Sequence, residues 1–189
     1  MEVLDPGDDD PRWRRIATPN NEHYGYTDAY EAKGAGASVA TEGSNFYIVG
    51  GDEDWKSKGS ASIEKFDVEQ GKWTYVTNMS FARRETGVAV LDGKIYVTGG
   101  FDETGKKRLN DVECFDISEK TWTTLASMNK ERSGHTLLAI NGSLIAVGGN
   151  LSSIEEYDVA NNTWNVKEDY LDPRPRGAFI MMKYYLQPE

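Results

Sequence analysis

Few residues of this 189-residue chain have the types and spacing that covalent chemistry requires. His23 and His135 are the only histidines, and they lie far apart in the sequence. The segment 133–135 places a serine close to a histidine, as a nucleophile lies close to its general base. It falls on a loop whose counterpart in the preceding copy reads Arg84-Glu85-Thr86, so we do not expect a Ser–His relay. The sequence therefore predicts no catalytic residues and no enzymatic activity.

Metal and cofactor sites are not indicated either. The acidic cluster at 52–54 is not repeated in the related loops, and calcium requires more oxygen ligands at defined spacing. Cys114, the single cysteine, occupies the position that Lys65 and Glu156 fill in related segments, which predicts a solvent-facing, incidental thiol. There is no phosphate-binding loop and no Cys/His metal spacing. We therefore expect no metal and no cofactor.

The composition restricts the partners and the compartment. The net charge of −10 disfavours nucleic acids and anionic membrane surfaces as partners. No apolar stretch is long enough to span a bilayer, and the N-terminus does not resemble a signal peptide. A single cysteine favours a reducing compartment, so we expect a cytoplasmic protein. Four Asn-x-Ser/Thr triplets fall at predicted turns, where these residues are common for backbone reasons.

The strongest pattern is a repeat in three copies. Pairs of glycines end at Gly51, Gly100 and Gly149, and successive pairs are offset by 49 positions. An aromatic–Asp pair and then a tryptophan follow each pair of glycines. The aromatic–Asp pairs are Phe66-Asp67, Phe115-Asp116 and Tyr157-Asp158, and the tryptophans are Trp73, Trp122 and Trp164. Repeats of this length indicate stacked structural units that share a core.

Within each copy the hydrophobic pattern predicts strands and leaves no room for a helix. Asp92-Gly93 and Asn141-Gly142 each separate two apolar runs, which is a strong signal for a β-hairpin. Two further short strands follow in every copy and complete a four-stranded antiparallel sheet. Sheets of this size must stack to bury both faces, and radial stacking gives a β-propeller.

These motifs resemble the kelch repeat, and most closely the kelch domains of BTB-kelch adaptor proteins. The stretch "LNDVECFDISEKTWTTLASMNKERSGHTLLAINGSLIAVGG" matches one full period, and the resemblance extends from about Glu2 to about Met182. It implies an all-β, kelch-type β-propeller. Packing between blades explains the recurring aromatics, crowding of backbones explains the glycine pairs, and the recurring Arg83, Arg132 and Arg174 are expected to be structural.

The resemblance predicts one domain over 1–189 with three complete four-stranded blades and a partial fourth built from both termini. The predicted units are a partial blade at 1–17, blades at 34–77, 84–126 and 133–167, and a first strand at 176–186. The strands at Leu4 and Trp13 are expected to lie beside a strand at Phe179–Met182. Three alternatives stay open: a piece of a longer protein, a closed four-bladed ring, or a larger ring completed by self-association that covers the open blade faces.

The predicted function is partner recognition at the loops, where the copies differ. The resemblance implies a scaffold that binds a protein or peptide segment and lacks a BTB segment, such as a truncated or variant ubiquitin-ligase adaptor. An actin-binding kelch protein and a kelch-like propeller enzyme are the alternatives. The predicted partner-binding residues are Trp55, Lys56, Lys58, Arg84, Glu85, Phe101, Lys106, Lys107, Arg108, Ser133, Gly134 and Arg176.

Overall fold

The computed structural model describes residues 37–51, 59–102, 104–149 and 151–167, and the backbone of 2–4 and 13–15. The described residues contain sixteen β-strands and no helix. Within this described part of the chain, no helix exists that is long and apolar enough to cross a membrane. The all-β prediction is confirmed.

Twelve of the strands form three four-stranded antiparallel sheets, which we call the first, second and third sheets. The first sheet contains β3 (Ser38–Glu42), β4 (Asn45–Val49), β5 (Ser62–Asp67) and β6 (Lys72–Asn78). The second contains β7 (Gly87–Leu91), β8 (Lys94–Thr98), β11 (Val112–Asp116) and β12 (Thr121–Leu125). The third contains β13 (His135–Ile140), β14 (Ser143–Gly148), β15 (Ile154–Asp158) and β16 (Thr163–Lys167).

Two short hairpins accompany these sheets. β9 (Phe101–Asp102) pairs with β10 (Lys107–Arg108) between the second and third strands of the second sheet. β1 (Glu2–Leu4) pairs with β2 (Trp13–Arg15), with Leu4 opposite Trp13. On the third and fourth strands of the second sheet, Phe115 lies opposite Trp122 in the same way. The β1–β2 pairing therefore agrees with a third and a fourth strand at the N-terminus. The predicted neighbour strand at 179–182 lies outside the described residues.

The predicted hairpin turns are confirmed by their backbone angles. Asp92 and Gly93 have φ values of 51° and 70°, and Asn141 and Gly142 have values of 50° and 80°. Positive φ at both central residues defines the turn whose twist matches that of the paired strands, and Asn, Asp and Gly tolerate it best. The first sheet uses a different turn, in which only Gly43 has positive φ, at 57°.

The aspartate of each aromatic–Asp pair closes the turn that follows the third strand. Asp116 Oδ1 accepts hydrogen bonds from the backbone N–H groups of Ser118 and Glu119, both at 3.0 Å. Asp158 and Asp67 accept the equivalent bonds in the third and first sheets. The bonds to Asp116 hold the pKa of its carboxyl below the usual value, because they stabilise the charged carboxylate. The pKa of Asp158 is lowered chiefly by the side-chain amide of Asn161, which donates to Oδ2 at 2.7 Å, and then by the backbone bonds. The repeat therefore retains aspartate for turn chemistry.

The core consists of two layers between neighbouring sheets. Val49, Ile63 and Ile95 lie in the layer between the first and second sheets, and each is fully buried. Val112 and Leu144 lie in the layer between the second and third sheets. In each sheet the recurring aromatic and tryptophan meet with ring centroids 5.1 Å apart, which confirms their predicted packing role.

The prediction for Cys114 is wrong. Its side chain is buried with 6% exposure and packs in the layer between the second and third sheets, beside residues such as Leu144 and Tyr157. Burial raises the pKa of its thiol, because the thiolate would lose its hydration. The prediction failed because the sister positions hold charged residues, which hid the fact that this position faces the next sheet.

Candidate protein-binding face

The second strands of the sheets end, and the third strands begin, at one end of the molecule. The loops that link one sheet to the next lie at this same end, because each fourth strand runs back towards it. We call this end the loop face. Its described candidate residues are Arg84, Glu85, Phe101, Lys106, Lys107, Arg108, Ser133 and Gly134. Trp55, Lys56, Lys58 and Arg176 lie outside the described residues and stay predictions.

Paired glycines let the linking loops cross close to the preceding sheet. A Cβ on Gly50 would lie 2.4 Å from the carbonyl oxygen of Arg83, so any side chain there would displace the loop. Gly100 donates its backbone N–H to the carbonyl oxygen of Arg132 at 2.8 Å. The predicted crowding is confirmed, and it fixes the backbone from which the loop-face residues project.

Two of the recurring arginines, Arg83 and Arg132, tie their linking loops to the sheet that follows, and Arg174 lies outside the described residues. Arg132 is fully buried, and its Nε lies 3.2 Å from Glu155 Oε1. Its Nη1 and Nη2 donate to the carbonyl oxygens of Gly148 and Ser153, both at 2.8 Å. Burial lowers the pKa of Arg132, and the charge of Glu155 opposes that shift. The structural role predicted for this arginine is confirmed.

Arg83 repeats this arrangement between the first and second sheets. Its Nη2 lies 2.6 Å from Glu113 Oε1, and its Nη1 donates to the carbonyl oxygen of Gly99 at 3.2 Å. Glu113 also accepts a bond from the backbone N–H of Ser80, which lies on the same linking loop. Each loop is therefore anchored by a buried Arg–Glu pair.

The glutamates of these pairs were missed in the sequence. Glu64, Glu113 and Glu155 each stand two positions before the recurring aromatic residue, and all three are buried. A buried charge requires a partner, which the recurring arginine provides for Glu113 and Glu155. The signal in the sequence was the recurrence of the glutamate in all three copies, in step with the arginine.

Two loop-face residues other than glycine, Glu85 and Lys106, have a left-handed backbone. Glu85 has a φ of 56°, in the left-handed region, and its counterpart in the next linking loop is Gly134, with a φ of 64°. The carbonyl oxygen of Glu85 accepts the N–H of Gly134 at 2.8 Å, so the two linking loops touch. Strain at a position where glycine would fit is typical of a functional surface.

Arg84 and Phe101 form the best-defined contact of the face. Their backbones exchange two hydrogen bonds, of 2.7 Å and 3.2 Å, which joins the linking loop to the β9–β10 hairpin. The guanidinium of Arg84 lies over the ring of Phe101, 5.2 Å from its centroid. Both side chains are half-buried, so each retains surface for a partner.

The other described candidates divide into two groups. Lys106, Lys107 and Arg108 are exposed on the β9–β10 hairpin. Ser133 is buried with 6% exposure, which removes its side chain from the accessible surface of the face. Gly134 is partly buried and offers backbone only.

The one described histidine is part of the framework. His135 Nε2 lies 2.8 Å from Thr98 Oγ1, and that hydroxyl in turn donates to the carbonyl oxygen of Gly87 at 3.1 Å. Burial and the nearby charge of Arg132 lower the pKa of His135 to about 3, so the ring is neutral. Its bond goes to Thr98 and not to Ser133. In the described part of the chain, no cluster of three metal-ligating side chains occurs.

Comparison with known proteins agrees with this architecture. A family model for the KLHDC2/KLHL20/DRC7 Kelch-repeats domain matches residues 10–184, and the chain belongs to this kelch-repeat family. Human Kelch-like protein 5 is 46% identical over 55 residues, which is 29% of this chain but only 7% of that protein. A solved structure titled "Structure of YjhT" superposes with a TM-score of 0.67 at 17% identity. It covers 91% of this chain, whereas this chain spans 60% of it, so it supports the fold alone.

Proposed function

We propose that this chain is a non-enzymatic protein-interaction module that binds a protein or peptide segment at the loop face. The observation that carries the proposal is the Arg84–Phe101 contact, which two backbone hydrogen bonds hold in place. Aromatic and arginine side chains are the most frequent anchors in protein interfaces. Anchors fixed before binding lose less conformational entropy when the partner arrives.

The family supports this proposal at a coarse level, because kelch-repeat domains typically serve as interaction scaffolds. The finer proposal is partner recognition of the adaptor type, as in ubiquitin-ligase substrate recognition, and in a cytoplasmic setting. It draws on the match to Kelch-like protein 5. Since the chain matches only 7% of that protein, the proposal extends no further than the recognition module.

The test compares two double variants with wild type. Arg84→Ala/Phe101→Ala removes the anchors from the loop face. Val68→Ala/Lys72→Ala removes an exposed apolar and an exposed basic residue near the β5–β6 turn, at the opposite end of the first sheet. Each protein is immobilised and incubated with cytosolic extract, and the captured proteins are quantified by mass spectrometry and mapped by cross-linking.

We expect the anchor variant to lose proteins that wild type and the control variant both retain, and cross-links to fall on the loop face. Circular dichroism must show that both variants keep the β-sheet spectrum. Equal capture by all three proteins would contradict the proposal. Turnover of a small molecule that stops in the anchor variant would instead favour the enzyme alternative.

A further inference from the structure

We propose that the β9–β10 hairpin recognises a carboxylate-rich segment of the partner protein. The inference rests on the proposed function and names the chemistry of the segment that the loop face selects. Its basis is that the hairpin carries Lys106, Lys107 and Arg108 together with Phe101, and that Phe101 contacts Arg84 of the adjoining linking loop.

The charge of this hairpin is unusual for the chain. Residues 106–108 are the only three consecutive basic residues in the sequence, and all three side chains are exposed. Within the described ranges none of the three forms an ion pair. By contrast, Lys94 forms an ion pair with Asp116, and Lys167 forms one with Glu156, in each case on the neighbouring strand. Lys107 lies opposite Asp102 in the hairpin register, and Glu103 follows Asp102 in the sequence, so the hairpin keeps a net positive charge of one, and Lys106 and Arg108 have no carboxylate opposite them in that register. An excess of positive charge on an acidic chain forms a site that favours anions.

The hairpin is held in place by its own bonds and by the linking loop. Leu109, directly after β10, donates its N–H to the carbonyl oxygen of Gly100 at 3.0 Å and accepts the N–H of Arg132 at 2.9 Å. At the tip, Asp102 Oδ1 accepts the N–H of Thr104 at 2.8 Å. The backbone that carries the cations is therefore fixed before a partner arrives, which lowers the entropic cost of binding.

The charge of the whole chain decides which anion fits. With a net charge of −10, most of the surface repels an acidic partner, so the hairpin sets the orientation of approach. A long polyanion such as RNA would extend onto the repelling surface. A short acidic peptide segment can contact the hairpin alone. Phe101 lies opposite Arg108 in the hairpin register and provides an apolar contact beside the charges.

The probe is a fluorescein-labelled peptide of alternating Glu and Gly, compared with its Gln–Gly counterpart of equal length, by fluorescence anisotropy at low ionic strength. Lys106→Glu/Lys107→Glu reverses two charges of the hairpin. Lys72→Glu/Lys120→Glu makes the same change in net charge at turns on the opposite end of the sheets. We expect a loss of affinity of about tenfold or more for the hairpin variant and of about twofold or less for the control.

Three results would overturn the inference: equal losses in both variants, equal binding of the Glu and Gln peptides, or tighter binding of a single-stranded RNA oligonucleotide of similar charge. The proposed function is tested separately with a protein captured by wild type. If that protein is lost with Arg84→Ala/Phe101→Ala but retained by the hairpin charge variant, loop-face binding stands and the acidic segment is wrong. If neither variant affects its capture, the proposed function fails as well.

Discussion

The two junctions between the sheets solve the same problem with different side chains. Where the first sheet meets the second, Thr86 Oγ1 donates to Ser38 Oγ at 3.1 Å. Where the second meets the third, His135 occupies the place of Thr86, and Gly87 occupies the place of Ser38. A Cβ on Gly87 would lie 2.3 Å from His135 Nε2, so the imidazole requires the glycine. At the second junction a larger side chain, His135, therefore faces a smaller residue, Gly87. A hydrogen bond between the two sheets is kept, here between His135 and Thr98.

The difference shows which parts of the repeat are interchangeable. The Arg–Glu pair occurs at both junctions because it anchors the loop that enters each sheet. The polar pair beside it is Ser38 and Thr86 at the first junction and Gly87 and His135 at the second. It differs because the junction requires only a certain combined size of the two residues and one hydrogen bond between the sheets. Loss of the arginine should therefore destabilise both junctions, whereas changes at the polar pair should affect the two junctions differently.

The largest effect is expected from breaking the shared Arg–Glu pair. Arg132→Ala leaves Glu155 buried without its cation and should lower the free energy of unfolding by about 3–5 kcal/mol. Arg83→Ala should cost less, because Arg83 makes fewer hydrogen bonds than Arg132. Urea unfolding followed by tryptophan fluorescence measures both. A loss below about 1 kcal/mol for Arg132→Ala would show that the pair is not needed for folding.

The second-largest change in stability is expected from substitutions at the polar pair, which differs between the two junctions. Gly87→Ser copies the first junction into the second, but the new side chain meets the imidazole, so we expect a loss of about 2 kcal/mol, within the range for overpacked sites. The double variant Gly87→Ser/His135→Thr recreates the Ser–Thr pair and should recover part of that loss, because a Cβ at position 87 would still lie 2.7 Å from Thr98 Oγ1. Additive effects of the two changes in the double-mutant cycle would show that the two positions are not coupled.

Turns, strands and shared contacts of the fold could be predicted from the sequence because they depend on local chemistry. Asp92-Gly93 predicts its turn since few residue pairs tolerate two positive φ values. The structural role of Arg132 followed from its recurrence. Glu155 could have been found in the same way, because a glutamate stands two positions before the recurring aromatic residue in every copy.

What could not be predicted depends on contacts between copies that differ. Gly87 and His135 appear unrelated in the sequence, and only their approach across the junction explains both. Cys114 was misplaced because Lys65 and Glu156 stand at its sister positions. The candidate site was predicted only as a set of loops. The contact of Arg84 with Phe101 required the structure, because no pattern in the sequence indicates which loops touch.

A smaller effect is expected from pH, and only at the second junction. The pKa of His135 is about 3 in the folded chain and 6.5 without the fold, so the unfolded chain takes up the proton first as the pH falls. Stability should be full above pH 6.5 and should decrease below it, by about 1.4 kcal/mol at pH 5.5. Gly87→Ser/His135→Thr should lose this dependence between pH 7 and 5.5. An unchanged slope in that variant would assign the effect to other groups.

The smallest effect concerns the linking loops themselves, where Glu85 and Gly134 adopt the same left-handed backbone. Glu85→Gly should raise the free energy of unfolding by about 0.5 kcal/mol, because relief of the backbone strain exceeds the added entropy of the unfolded chain. The reverse exchange, Gly134→Glu, should lower it by about 1 kcal/mol. Thermal unfolding of both variants measures the two changes in stability. If Glu85→Gly is destabilising, the contacts of the Glu85 side chain outweigh the strain. If it is stabilising and also weakens partner capture, the strain is retained because the side chain takes part in binding at the loop face.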